Sequence, residues 1–527
     1  MHAMGLAVWL ERYRILLLLA ILLPTAVMVV RDARLRPVWH DEMFSYYTAG
    51  QPSVGAVVRM QAAHPVVLEP PVYDVVLHGV LRSGWRGPVA LRSISIASWL
   101  CLQVCLFVVG CRLSGWLAGG LAALLPLLVG FIGMNYDYAT EARSYAFVLA
   151  LYGLSLLCWL RALDVGRRRG LSLCGVALCL LLAIGSHFYA VFLLVPFAMA
   201  ELVRTLQRRA VDWPMLGALV VGAAGAVIDL PFLKACSAYE GHLITGQLNY
   251  GAIHWTYIYL LNLTMRRLNA GHSADLLLAA ALGGAVWLCW KQRAQGSMLS
   301  PVAVLLLVTT LLPLPAVWTA MHIGHAYRER YVCYAIVSIV LLVSVLVGDV
   351  VQRFGAGASL AILLLFAVAV GWKCMTRHRD LGTTHAYNLQ GTPTGDAFIS
   401  LLRQSPHALL YMSIEPCMVA DYYSSAEIRE RLRCVYSDQR ELQYANTNTQ
   451  ALTSRAIAFS THLKIVDYRQ MTADRNHSLV LLVHDHPWQQ WLPYSLRDDG
   501  AQLALVGNYM NGQVYKFEYP ESGTLKP

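Results

Sequence analysis

Uncharged apolar runs recur along this chain between Ile15 and Lys373, many long enough to cross a bilayer and most separated by short polar turns. A helix crosses the hydrocarbon core with roughly 17–25 apolar residues, and the first run, Ile15 to Val30 with its flanks, meets that length. Composition excludes an ordinary soluble domain of this size: 57% of the 527 residues are hydrophobic and only 14% are charged. The sequence therefore reads as a polytopic α-helical membrane protein of about eleven transmembrane helices. These are Ile15 to Val30, Leu91 to Gly110, Trp116 to Met134, Ser144 to Leu160, Leu171 to Gly185, His187 to Val203, Pro214 to Phe232, Ala274 to Trp290, Pro301 to Met321, Tyr331 to Gly348 and Ser359 to Lys373. The fifth and sixth are short and nearly continuous, so either they form a tight hairpin at Ser186 or the count there is off by one or two.

The runs are continuous, not alternating, and a barrel strand needs only about ten residues, so the spans are helices. Orientation follows from the basic loops. Arg161, Arg167-Arg168-Arg169, Arg204, Arg208, Arg209, Lys291 and Arg293 fall in short loops on the side of the N-terminus, which the positive-inside rule makes cytoplasmic. The first outer loop, residues 31–90, breaks the rule with Arg31, Arg34, Arg36 and Arg59; a role facing lipid phosphate and simple scatter both account for that. Parity then gathers polar groups on the outer face: Asp41, Glu42 and Glu69, the turn Asn135 to Arg143, Ser186-His187, the loop Lys234 to His272, the turn His322 to Arg330 and everything after Lys373. Acids this close to a membrane span are costly and mark function by default.

After Lys373 the apolar runs stop. Residues 1–375 are expected to form a transmembrane domain, with a catalytic first outer loop, and 376–527 a soluble extracytoplasmic domain. Short β-like runs (Ala408 to Met412, Leu479 to Val483, Leu503 to Val506) alternate there with helical stretches (Thr394 to Arg403, Ala426 to Arg433), predicting a small α/β fold. An oxidising compartment permits a disulfide between its two cysteines, Cys417 and Cys434. The other ten cysteines lie mostly inside spans, where the thiol behaves as a small hydrophobe. Arg12 and Arg14 before an apolar run resemble a secretory signal, but no small-x-small site follows, and the segment is expected to be a retained span. No Cys-x-x-Cys or His/Cys cluster argues for zinc. Nucleic acid is not an expected partner despite the net charge of +10, because the basic residues sit largely in short inner loops.

Several strings carry a resemblance. Trp39-His40-Asp41-Glu42 follows the first span, Glu69-Pro70-Pro71-Val72-Tyr73 leads into a short amphipathic segment, and Ala90-Leu91-Arg92-Ser93-Ile94-Ser95 opens the second span. Glu141-Ala142-Arg143-Ser144-Tyr145-Ala146, Ser186-His187-Phe188-Tyr189-Ala190 and Glu329-Arg330-Tyr331 follow in order. Together they resemble the membrane glycosyltransferases of the C-type fold, and more narrowly the protein mannosyltransferase and aminoarabinose (lipid A) transferase superfamily. The resemblance implies transfer of one sugar from a polyprenyl-phosphate carrier to a lipid, glycan or protein acceptor at the outer face of the cytoplasmic membrane, with inversion.

The residues suit that chemistry. An acceptor hydroxyl needs a carboxylate to take its proton as the bond forms, and Asp41 is the candidate base beside Glu42 and Glu69. The leaving lipid phosphate needs positive charge more than a proton. Arg143, Arg328 and Arg330, with Tyr138 and His187, are the candidate donor-binding residues, and a divalent metal cation on Glu69 and His187 is the candidate cofactor. Family members often carry Glu-Lys-Pro where this chain has Glu69-Pro70-Pro71, so an arginine would replace that lysine.

Each residue also has a plainer role. Asp41 and Glu42 suit a helix N-terminus, Glu69 a solvated loop, and Glu141 with Arg143 a mutual pair or a helix cap. His187 suits an interfacial histidine, and Arg328 and Arg330 suit snorkelling anchors. Tyr46, Tyr47, Tyr136, Tyr138, Tyr257 and Tyr259 suit an aromatic belt. The sequons at Asn262 and Asn476 read as accidental, and His484-Asp485-His486 as structural or solvated. A transporter is the rival class, though no internal repeat appears and the acids lie in an outer loop. A non-catalytic lipid-binding protein on the same fold is the third reading.

Overall fold

Among the described residues, eight helices are long and apolar enough to cross a membrane, or nine if the bent pair Pro301–Thr310 and Pro313–Ile323 counts as one span. The computed structural model describes residues 12–66, 68–129, 137–164, 166–240, 248–262, 270–293, 299–324, 326–383, 402–403, 408–458, 461–473, 478–483, 491–509 and 512–519. Its described residues divide into two compact units. The first lies within Met1–Arg34, Glu69–Leu233 and Gln247–Arg379, the second within Leu35–Leu68, Lys234–Gly246 and Asp380–Pro527. The first outer loop is thus shared: Asp41 and Glu42 belong to the second unit, Glu69 to the first. His484-Asp485-His486, Tyr136, Asn476 and most of Thr394 to Arg403 lie outside the described residues.

The described parts of the eleven expected segments fall on apolar helices, and besides the bend within Pro301 to Met321 the lower count has two sources. Arg169–Ile184 has 16 residues, short of a full span. Leu91 to Gly110 and most of Trp116 to Met134 run together as Pro88–Leu128, 41 residues interrupted where Ser114 and Gly115 leave helical geometry. Gln103 there donates to the Ala123 carbonyl at 3.1 Å, twenty residues away along the chain. A straight helix would hold them about 30 Å apart, so the two arms fold back on each other. Glycine permits the approach: a Cβ on Gly119 would lie 2.7 Å from the Phe107 carbonyl.

Inside lipid there is no hydrophobic force between helices, and polar side chains and close packing hold them. The Tyr152 hydroxyl reaches Thr309 at 2.8 Å and Ser338 at 2.9 Å, joining three helices. Charged pairs collect where the basic loops were expected. Trp159 and Arg204 both donate to Glu201, Arg169 to Asp212 at 2.6 Å, and Lys291 with Trp287 to Asp349. The opposite ends of Ser144–Ala162, Arg169–Ile184, Phe188–Arg208 and Ala335–Gln352 carry the residues of the candidate site.

The second unit contains a six-stranded sheet: β1 Leu410–Ser413, β2 Leu432–Tyr436, β3 Ile465–Asp467, β4 Ser478–Val483, β5 Gln502–Tyr509 and β6 Gly512–Glu518, in the order β3-β2-β1-β4-β6-β5. The four strands β3, β2, β1 and β4 are parallel, while β6 and β5 add an antiparallel edge. Strand β1 is buried at every residue, as a central parallel strand must be. The strand expected at Leu503 to Val506 lies within β5, and the helical stretch Ala426 to Arg433 ends at Arg431, where β2 begins at the next residue. A core of Tyr411, Val435, Val480, Trp491, Leu496 and Phe517 packs this sheet against its helices.

Helix Ile414–Tyr423 follows β1 and is tied to β2 by the Cys417–Cys434 disulfide. The same helix holds the segment that bears Asp41. The Val38 N–H donates to the Tyr423 hydroxyl at 2.6 Å, and the Tyr47 hydroxyl to Asp421 at 2.7 Å. Asp421 also faces His462 Nε2 at 3.0 Å. The disulfide closes a loop of sequence separation 17, for which the chain-entropy model gives about 3 kcal/mol. Replacing both cysteines by alanine is expected to lower the unfolding midpoint of this unit, read by thermal unfolding of the purified protein, with the helical bundle unaffected.

Candidate active site

Glu69 ends an irregular stretch in which two prolines fix the backbone. Pro71 leads into helix Val72–Arg82, and the Val72 N–H donates to the Gly185 carbonyl at 2.9 Å, tying the Glu-Pro-Pro string to the end of Arg169–Ile184. Tyr73 meets Ser95 at 3.2 Å, and the Ser95 hydroxyl donates to the Arg143 carbonyl at 3.3 Å. Three of the strings that carry the resemblance are thereby joined.

Both oxygens of Glu69 are engaged. Arg143 donates to one at 2.7 Å and the Ser144 hydroxyl to the other at 2.6 Å. Arg143 sits at the N-cap of helix Ser144–Ala162, and its guanidinium goes to Glu69, 74 residues away. The solvated-loop role for Glu69 is therefore excluded, since the pair is more than nine-tenths buried.

Tyr145 stands between two cations. The Arg143 and Arg330 guanidinium carbons lie 5.8 Å and 5.4 Å from its ring centre, within cation–π range. Its hydroxyl is buried with no hydrogen-bond partner among the described residues. Tyr138 packs 5.3 Å away, and His187 lies 5.7 Å from Tyr145 and 5.1 Å from Tyr331. His187 Nδ1 accepts from the Tyr189 N–H at 3.2 Å, which places the proton of the neutral ring on Nε2. Arg330 lies in the short turn Glu329–Val332, while Arg328 precedes that turn and is exposed. The structure therefore brings together Glu69, Arg143, Tyr138, His187 and Arg330, and adds Ser144, Tyr145 and Tyr331.

Burial pushes the Glu69 carboxyl up, but the Arg143 charge, the Ser144 hydrogen bond and Arg330 outweigh it and hold the carboxyl below its ordinary value. Burial drives His187 down to about 4, against attraction from Glu69. At neutral pH the imidazole is thus uncharged, and its own pull on Glu69 operates only in acid.

For Glu69 and His187 as metal ligands, the donor set does not fit. Both Glu69 oxygens face cationic or hydroxyl donors, two guanidinium groups stand alongside, and no three His, Cys, Asp or Glu gather to hold a metal among the described residues. Hard divalent cations need more oxygen ligands than this.

In the second unit, Asp41 and Glu42 occupy the first turn of helix His40–Ala49. Glu42 is fully buried and accepts the Trp39 N–H at 3.3 Å, so it caps its own helix. Asp41 keeps 13% side-chain exposure and lies 3.3 Å from His40 Nε2. Of the two acids it is the more accessible.

Two outcomes follow from these burials. Glu69→Ala leaves the Arg143 charge buried without its partner, and is expected to cost about 3 kcal/mol or more in thermal stability. His187 binds its proton more weakly folded (about 4) than unfolded (6.5), so the unfolded state takes up the proton first. Stability should therefore fall as pH drops from about 6.5 towards 4. His187→Gln should flatten that stretch of a melting-temperature profile against pH.

No family model matches the chain, and no curated protein matches it. Solved structures do. The chain is similar to ArnT from Cupriavidus metallidurans bound to undecaprenyl phosphate, at 12% identity and a TM-score of 0.55, covering 95% of this chain and 97% of that one. It is similar to the same protein in the apo state at 14% identity and a TM-score of 0.56, with the same coverage. The likeness extends over nearly the whole of both chains. The chain is an integral membrane protein with the fold of the C-type membrane glycosyltransferases.

Proposed function

We propose that this protein is a glycosyltransferase that moves a single sugar from a polyprenyl-phosphate carrier to an acceptor hydroxyl or phosphate at the outer face of the cytoplasmic membrane. The observation that carries the reading is the cradle of Arg143 and Arg330 on the buried Tyr145 at one end of a membrane-spanning bundle. Two guanidinium groups stand over one tyrosine ring, beside the Glu69 carboxylate. A sugar linked to a lipid through a phosphodiester carries one negative charge, which guanidinium groups recognise. As the sugar leaves, the phosphate gains charge, and planar donors in a water-poor site stabilise that change. The Tyr145 hydroxyl offers a further donor. The similarity to a fold seen with undecaprenyl phosphate supports the same ligand class.

Asp41 serves as base in this reading, taking the acceptor proton while the oxygen attacks the anomeric carbon opposite the phosphate. Glu42 caps the helix that presents Asp41. Glu69 fixes Arg143, and Tyr138 and His187 wall the cradle. Arg328 belongs to the donor side through its turn with Arg330. The sheet-containing domain is extracytoplasmic, and partners are the lipid-linked donor, the acceptor and bilayer lipid.

The test is transfer of label from a panel of polyprenyl-phosphate sugars to membrane acceptors, with native protein and Asp41→Asn side by side. Loss of the base should lower kcat by about 100-fold or more. Full transfer by a folded Asp41→Asn protein sinks the assignment. Arg330→Ala should raise the donor KM roughly tenfold to a hundredfold, the scale of about 1.5–3 kcal/mol for a charged hydrogen bond.

A further inference from the structure

His40 lies between two carboxylates that are remote in sequence. Its Nε2 is 3.3 Å from Asp41 Oδ1, and its Nδ1 is 3.8 Å from Glu415 Oε2. Side-chain exposures are 20% for His40, 13% for Asp41 and 8% for Glu415, so bulk water screens the trio weakly. The Trp39 and Phe44 rings meet the imidazole edgewise, with centroids at 4.9 Å and 6.5 Å, and limit its rotation.

Glu415 stands at a special place in the sheet. It is the second residue of the helix that leaves the carboxyl end of β1, and the strand order reverses between β1 and β4. Open parallel sheets place ligand-handling groups outside the carboxyl ends of strands at such a reversal. The Val38–Tyr423 and Tyr47–Asp421 bonds flank His40 and Asp41 in sequence and hold their segment on the same helix.

We propose that Glu415 and His40 are positioning residues for transfer, forming a dyad behind Asp41 that orients its carboxylate and receives the proton it abstracts. This rests on the reading of Asp41 as the base. The acceptor O–H bond breaks and its proton goes to Asp41, while the oxygen electron pair forms the bond to the anomeric carbon. The bond from that carbon to the phosphate oxygen breaks, and its electron pair leaves with the lipid phosphate. The proton passes from Asp41 to His40 Nε2, and the imidazolium so formed has a carboxylate facing each nitrogen. Release of that proton to water restores the starting state. A neutral imidazole has one N–H and one lone pair. With the proton on Nδ1, toward the Glu415 carboxylate at 3.8 Å, the lone pair on Nε2 faces Asp41.

The experiment uses the full chain with Glu415→Gln, Glu415→Asp, His40→Gln and the Glu415→Gln/His40→Gln double variant. Each is checked for native melting temperature, assayed for transfer, and labelled with ¹⁵N-histidine for NMR, with His40 assigned by its loss in His40→Gln. Glu415→Gln and His40→Gln should each lower kcat about 10- to 100-fold with KM changed less than about twofold, as expected for misplacement without lost binding. The double variant should be no worse than either single one, Glu415→Asp should recover part of the loss, and Glu415→Gln should shift the His40 ring ¹⁵N signals. Unchanged kcat in Glu415→Gln, or losses that multiply in the double variant, overturns the dyad. If the native protein transfers no sugar from any donor, the glycosyltransferase reading and the proton step fall together. The Glu415 hold on His40 is then judged by the NMR signals alone, and signals that do not move refute it too.

Discussion

The buried pairing of Glu69 with Arg143 is the constraint on which the membrane unit's polar end depends. A lone guanidinium in that position would be too costly to bury, and a lone carboxylate would take up a proton. Together, with Ser144 on the second carboxylate oxygen, they hold the start of a spanning helix against a loop that two prolines stiffen. Tyr145 is the next residue on that helix, so the same pair fixes the ring shared by Arg143 and Arg330. A charged cluster thus sits at the end of an apolar bundle.

Much of this was legible in the sequence because it rests on periodicity and parity. Continuous apolar runs announce helices, and alternating loops decide which polar strings share a side. Glu69, Arg143, His187 and Arg330 meet as that counting expects. The count of spans was less secure at the fifth and sixth, where Arg169–Ile184 falls short of a full span, whereas the two spans expected on either side of Ser114-Gly115 do reverse, as the Gln103–Ala123 contact shows. The expected metal role rested on residue type. Glu69 and His187 are respectable ligands in isolation, but the guanidinium groups beside them decide the local electrostatics, and their proximity is a tertiary fact. Tyr145 lay in a string already singled out, and its place between two arginines required the fold.

Within the second unit the legible part was the alternation of β-like and helical segments and the cysteine pair. The illegible part was its claim on the first outer loop. Asp421 and Tyr47 are 374 residues apart and Val38 and Tyr423 are 385 apart, and no periodicity links such positions. The loop is half of each unit: Glu69 is bound to the bundle, while Asp41 is bound to a helix braced by a disulfide. The two acids therefore rest on separately built supports, each with its own stabilising contacts.

That division gives the chain a built-in order of assembly. The segment bearing Asp41 is synthesised early, yet the helix that holds it arrives some 374 residues later along the chain, a delay on the order of a minute or less at typical translation rates. Until Tyr423 and Asp421 have emerged, the bonds they make to Val38 and Tyr47, on either side of His40 and Asp41, cannot form. The charged cluster of the bundle draws only on residues made earlier, between Glu69 and Arg330, and does not wait for that support.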